Sequence, residues 1–248
     1  MMNNQSITIS SVVLGIALVI GAWVLGSQFD KFHETGVITV KGLAEAQYKA
    51  SMGTWRIGVD VWGENYAQAL NRNQAQLKKV KQFLEQQGFG ADSIQLEVID
   101  VSAHSETYLD DNGNEHTRQN GYDATRFYSI KTKELPKLQK AMQAVQKLRA
   151  DNEEVRFYAP KYYLEDLENI KRTLISKATQ DAFVRAEEFA KTGKMQVGAM
   201  KSASQGSFDI QSTTPSDDAD SDYGGGYDTS TIDKNVRLVV TIQYQINK

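Results

Sequence analysis

The sequence predicts an α+β protein: an N-terminal transmembrane helix followed by a mixed, mainly antiparallel β-sheet domain with about three packed helices. Three observations carry that expectation. Residues 7–29, ITISSVVLGIALVIGAWVLGSQF, form an uncharged and mostly apolar run. At 1.5 Å per residue, about 23 residues give a helix of roughly 34 Å, enough to cross a ~30 Å hydrocarbon core. From Val37 onward the apolar period switches repeatedly between two and three-to-four, as in strands interleaved with amphipathic helices. The chain then closes on NVRLVVTIQYQINK, where Val236, Leu238, Val240, Ile242, Tyr244 and Ile246 alternate on one face. A terminal strand so apolar is expected to be paired inside a sheet.

The first six residues, MMNNQS, are a short tail without Lys or Arg. A secretory signal carries a basic segment there and a shorter apolar centre, so residues 7–29 fit an uncleaved anchor better than a removed signal. Trp23 also stands where an aromatic side chain suits a membrane interface. Cleavage near Ser27, leaving a soluble product, is the alternative. Residues 30–36 read as a linker. Its charges nearly balance, so orientation rests on the ease with which a long domain translocates regardless of charge.

Residues 37–248 make one domain. VITVK (37–41) is a short strand ended by Gly42. Trp55, Ile57, Val59 and Val61 alternate in a stronger strand that Gly63 breaks. Asn65 with Gln68 resembles a capping box, and Tyr66, Leu70, Leu77, Val80 and Leu84 continue at helical spacing to Gly88. Residues 93–105 return to strand, with a parity switch between Val98 and Ile99 that predicts a bulge or a change of exposed face. Asp110-Asp111-Asn112-Gly113-Asn114 is a turn cluster, and Asn-Gly is the favoured hairpin pair. The strand resumes at Gly121 with Tyr122, Ala124, Tyr128 and Ile130 on one face and Arg126 interrupting it.

A second helix begins at Leu135-Pro136, where a first-turn proline costs little, with a stripe of Leu138, Met142, Val145 and Leu148. Residues 155–163 form an aromatic strand that tolerates Pro160 only at an edge or bulge. The third helix is the longest, with Leu167, Ile170, Leu174, Ala178, Ala182, Ala186 and Phe189 recurring until Gly193. A strand follows near residues 197–204. Residues 207–233, with SDDADSDYGGGYD at their heart, are acidic and glycine-bearing and are expected to form a flexible insertion dispensable for folding.

Composition bounds the chemistry. With no cysteine, disulfides, thiolate metal sites and thiol nucleophiles are excluded. A net charge of −3 provides no broad basic field, so no nucleic-acid partner is expected. Three prolines leave no proline-rich linker.

The order of elements, with ITVKG, SIQLEVIDVS, GYDATRFYSIKTKEL, the Ala178–Ala182–Ala186 ladder before Gly193 and the closing VRLVVTIQYQI, resembles the SIMPL domain family of bacterial envelope proteins. That family includes periplasmic immunogenic antigens. The likeness spans roughly residues 37–248, and its most specific parts are packing motifs. It departs where Lys49-Ala50-Ser51-Met52 stands in place of a Pro-Asp pair common ahead of the second strand. The resemblance implies a mixed α+β domain facing the periplasm, sometimes self-assembling into rings; with residues 7–29 as its anchor, the chain is expected to be a single-pass inner-membrane protein and a homo-oligomer. The resemblance also implies a loose link to envelope stress and no agreed enzymatic activity, so no catalytic residue carries over.

Residue by residue, no catalytic, cofactor or metal site is assigned, and no cofactor is expected. Asp218, Asp220 and Asp222 recur like the opening of an EF-hand loop, but Tyr223 and Thr229 occupy the positions that loop gives to Gly and Glu. Asp110, Asn112, Asn114 and Glu115 are explained by a hairpin turn. His33, His104 and His116 are too scattered for a local metal motif. The glycines at 224–226 lack the setting of a phosphate loop. Lys78, Lys79 and Lys81 read as a solvated helix face. Phe157, Tyr158, Tyr162 and Tyr163 suit core and rim, or the floor of a ligand groove or a subunit contact. The expected function is therefore a non-enzymatic envelope protein. An envelope hydrolase or lyase with a dispersed site, and a small-ligand binding module, are the alternatives. The edges flanking Pro160 and Asn112-Gly113 are the expected self-association contacts, with Tyr162 central to the first.

Overall fold

The computed structural model of the chain describes residues 15–24, 36–213 and 226–247. From residue 36 on, the elements in chain order begin with β1 (Gly36–Lys49), β2 (Met52–Gly63), α1 (Tyr66–Gln86), β3 (Ile94–Leu96), β4 (Asp100–Leu109) and β5 (Glu115–Thr132). There follow α2 (Leu135–Asp151), β6 (Val155–Phe157), β7 (Lys161–Tyr163), α3 (Leu167–Thr192), β8 (Gln196–Ser212) and β9 (Asp233–Asn247). The fold is thus mixed α+β, as expected. Residues 15–24 are also helical. The rest of the span expected over 7–29 lies outside the described residues, and among these no helix is long and apolar enough to cross a membrane.

Two compact units divide the chain: one takes the chain up to Ala44, Ile175–Gly206 and the stretch from Val239 on, the other Glu45–Leu174 and Ser207–Leu238. The second unit holds the larger core. Its six-stranded sheet runs β3-β5-β2-β6, with β4 also on β5 and β7 also on β2. The central pair is antiparallel and sets Trp55 opposite Ile130, Ile57 opposite Tyr128 and Val61 opposite Ala124. These side chains form one face, and α1 and α2 cover it with Leu77, Val80 and Leu84 and with Leu135, Leu138 and Val145. Each such side chain contributes about 1.5–3 kcal/mol on burial.

Cap and turn chemistry behaves as the sequence predicts. The Asn65 side chain accepts the Gln68 N–H at 2.9 Å, while Gln68 Oε1 accepts from Glu64 N. The inward stripe of α1 is rotated from expectation, because Tyr66 stays exposed at the rim with its ring edge-on to Tyr122. Ala69 and Asn73 face inward in its place, and buried Asn73 donates to the Ala124 carbonyl at 2.9 Å. The parity switch at Val98 proves to be a full break between β3 and β4, with Val98 90% exposed. Gly121 has φ +85°, and a Cβ there would meet the Gly63 carbonyl at 2.4 Å, so the Gly-Tyr pair is fixed by backbone contact.

In the other unit, residues of β1, β9 and β8 belong to a three-stranded sheet in that order. Ser202 Oγ meets Gln243 Oε1 and Ser204 Oγ meets the Thr241 carbonyl, a pairing that runs β8 antiparallel to β9. The alanine ladder of α3 packs as its small residues suggest. Ala178, Ala182, Ala186 and Ala190 are buried, and a Cβ on Gly42 would come within 1.9 Å of the Ala178 carbonyl. Asp181 Oδ2 accepts the Leu43 N–H at 2.8 Å, so a helix side chain takes a backbone donor of β1. Phe189, expected on the inward stripe, is exposed, because Ala190 holds the next ladder position.

The expectation of a flexible insertion over 207–233 needs correction at both ends; residues 214–225 lie outside the described residues. Residues up to Ser212 continue β8, with Asp209 and Ile210 buried. On the return, Ile210 N donates to the Gly226 carbonyl and Asp228 N to the Ile210 carbonyl. The Tyr227 hydroxyl accepts from Leu164 N, Thr229 O from Tyr162 N and Ile232 O from Ala50 N. Composition hid this because the ordering groups are backbone amides and an ion pair between a half-buried aspartate and a buried lysine. Lys234 Nζ, fully buried, lies 2.9 Å from Asp228 Oδ2.

Candidate functional site

The interruption at Pro160 organises the most distinctive surface of the second unit. β6 pairs Phe157 with Ile57 of β2, and β7 pairs Lys161 with Thr54. Between those pairings Trp55 and Arg56 oppose Tyr158, Ala159 and Pro160, an extra residue that makes a bulge. Proline is accommodated there because no ladder hydrogen bond is asked of it. Trp55 Nε1 donates to the Tyr158 carbonyl at 3.0 Å, and Tyr158 N donates to the Arg56 carbonyl at 3.0 Å.

The bulge re-aims its aromatics. Phe157 packs on the core and Tyr162 is buried within it, where burial pushes its phenol up. Tyr158, 54% exposed, and Tyr163 turn to the sheet face that the helices leave open. The Arg56 guanidinium lies 4.6 Å from the Phe127 ring centre and 5.2 Å from that of Tyr158. Glu97 accepts two bonds from it, at 2.8 and 2.6 Å, and those bonds raise its pKa further.

Two grooves meet at Ala159 and Lys161. One, about 490 Å³, is lined by Thr54, Trp55, Arg56, Ser129, Tyr158 and Tyr163 besides those two. The other, about 640 Å³, is formed by Met142, Gln139 and Gln143 of α2 with Pro160, Tyr162, Thr229 and Ser230. Sequence reading found the aromatics and Pro160 but not Thr54, Arg56 or Lys161. Their signal was the outward parity of β2, which places Thr54 and Arg56 opposite the buried Trp55 and Ile57.

The other sequence candidates are not brought to this site. His104 pairs with Asp123 at 2.7 Å and His116 with Asp110 at 3.0 Å, both on the β4–β5 hairpin. Asp110 Oδ1 accepts the Asn112 and Asn114 N–H groups at 2.9 and 2.8 Å, so that cluster is a turn. Foremost the Asn114 amide, then the His116 ring, hold the Asp110 carboxyl at about 2. Among the described residues no group of three or more His, Cys, Asp or Glu is arranged to hold a metal. Asp218, Asp220, Asp222 and His33 lie outside the described residues.

Burial alone would raise the Asp228 carboxyl. Hydrogen bonds from Ser230, Thr231 and Lys234 outweigh it and hold the group well below the usual carboxylate range. That network braces the loop whose Thr229 and Ser230 wall the larger groove.

Antiparallel sheets with helices packed on one face define the class as a mixed α+β domain. Within that class the chain belongs to the SIMPL family, described as a protein of unknown function (DUF541), which it matches over residues 38–244. No curated protein matches it.

Proposed function

We propose that this chain is a non-enzymatic protein of the bacterial cell envelope. Residues 7–29 anchor it in the inner membrane as a single span, and the remainder faces the periplasm and self-associates. The anchor reading is supported by the length of the uncharged run, by Trp23 at its interfacial end and by the lack of Lys or Arg in the first six residues. Assembly is supported by one observation above others. β8 ends the order of its sheet, and residues 199–206 are exposed on both faces, with Lys201 their one charge. Soluble proteins usually block such an edge with charge, proline or a covering segment.

The contact is placed away from the Pro160 margin, one of the two edges to which the sequence pointed. Tyr162 is buried, and its N–H is taken by the Thr229 carbonyl, so the margin at Pro160 is partly covered. Light scattering on the full chain in detergent should give a multiple of 27.7 kDa at about 50 μM. A closed ring is the economical outcome, since an open head-to-tail contact grows without limit. Met200→Glu with Ala203→Glu should shift the mass toward monomer, because the contact would bury unpaired carboxylates. A monomeric parent, or an unchanged doubly substituted oligomer, sinks the β8 contact. Intact mass of the membrane-fraction protein reads the anchor separately, and a start near Ser27 would replace it with a soluble product.

A further inference from the structure

We propose that the groove at the bulge, over the outward face of β2, binds a small oxyanion carried on a ring, such as a phosphate ester or carboxylate of an aromatic compound. This rests on the side chains there and not on the assembly reading. The groove has about 490 Å³, within the range of small-molecule sites. Its lining contributes two cations, Arg56 and Lys161, and four hydroxyls, from Thr54, Ser129, Tyr158 and Tyr163. No carboxylate lines it. Such a surface is rich in donors and poor in charged acceptors, which suits an anion.

The two cations differ in what they have left to give. Arg56 is held by both Glu97 oxygens and lies against the Phe127 and Tyr158 rings, which also touch each other, so its role is to hold Tyr158 in place. Lys161 is exposed and its side chain has no ion pair among the described residues. Register adds a third charge. Thr54 stands opposite Lys161 on one side and Lys131 on the other, and all three share the open face. Adjacent strands lie ~4.8 Å apart, so the two lysines straddle the Thr54 hydroxyl at a backbone separation of about 10 Å. An oxyanion held between the ammonium groups accepts from both and from the hydroxyl. The exposed Tyr158 ring and Tyr163 then offer a flat surface to the ligand ring. The nearby acid Glu165 does not compete, since it pairs with Lys133 at 3.0 Å.

Phenyl phosphate, titrated calorimetrically into the full chain in detergent, is the direct probe. It should bind with a Kd of about 1 mM or below, more tightly than inorganic phosphate, which lacks the ring. Benzyl alcohol, which lacks the charge, should not bind detectably. Lys161→Gln should weaken phenyl phosphate about tenfold, the scale of one charge-assisted hydrogen bond. Lys161→Arg should retain binding, and Lys78→Gln on the remote face of α1 should leave it unchanged. Thr54→Val assigns the groove, because Thr54 lines the smaller one and not the larger. Weaker binding by that variant supports the proposal. An effect of Lys161→Gln with none from Thr54→Val overturns it in favour of the neighbouring groove. No binding at about 20 mM phenyl phosphate, equal binding of benzyl alcohol, or indifference to Lys161→Gln each overturns it outright.

Discussion

Two aspartate-centred loops in this chain look alike on paper and behave differently. Asp110 organises the β4–β5 hairpin, accepting from Asn112, Asn114 and His116 at the surface. Asp228 organises the return before β9, accepting from Ser230, Thr231 and Lys234. Both carboxyls are held below their usual range, by similar numbers of short hydrogen bonds. The difference is the partner's burial: His116 is exposed, whereas the Lys234 side chain is 0% exposed. A surface loop of this kind shapes the chain locally. A buried one makes an ammonium group depend on it, and with that group the β-strand it belongs to.

The largest effect should therefore come from Asp228→Ala. It leaves the Lys234 ammonium buried without a counter-charge, a situation that costs about 3–5 kcal/mol. For a chain of this size that is roughly 10 °C in the melting temperature. Asp228→Ala combined with Lys234→Met should recover most of the loss, since replacing a whole buried pair by apolar groups is often neutral. A single variant that melts with the parent in scanning calorimetry would show that the pair is not what holds the return in place.

A smaller effect separates the loop from the acidic segment beside it. Exchanging residues 214–225 for a Gly-Ser segment of equal length should move the melting temperature by no more than about 2 °C, because loop closure is unchanged and few apolar groups are lost. A fall comparable to that of Asp228→Ala would extend the bracing role into the acidic segment.

The contrast also explains what could be read in advance. Period-two and period-three patterns gave β2, β5, β9, α1, α2 and α3, because each buries one face. The Asn112-Gly113 turn and the Asn65 cap were legible since their bonds close within a few residues. The return at 226–233 was not, because its hydrogen bonds reach Ala50, Tyr162, Leu164 and Ile210, which are distant in sequence. One signal was available: Lys234 shares the parity of Val236 and Leu238, so a strictly alternating β9 already placed a lysine on the buried face. The grooves had a similar half-signal. Pro160 announced a bulge, but only the register of β7 against β2 brings Lys161 beside Thr54.

The smallest effect is the most diagnostic of the comparison, because it isolates charge from burial. The Asp110 carboxyl titrates at about 2 in the folded protein, against about 3.9 in an unfolded chain. A depressed value means that the unfolded state binds the proton more readily, so stability rises with pH across that interval. The contribution of Asp110 is present above about pH 4 and disappears as pH falls through about 2. Asp110→Asn keeps an oxygen for the Asn112 and Asn114 amides but removes the titration. Urea midpoints for parent and variant should differ modestly at pH 7, with the parent the more stable, and converge by about pH 2. Asp228 contributes with the same sign, but its charge is lost only at the acid extreme, and because both proteins carry it, it cancels in the comparison. A parent–variant gap that stays constant from pH 7 to pH 2 would mean that the hairpin turn is held by geometry alone, with the charge on Asp110 irrelevant to it.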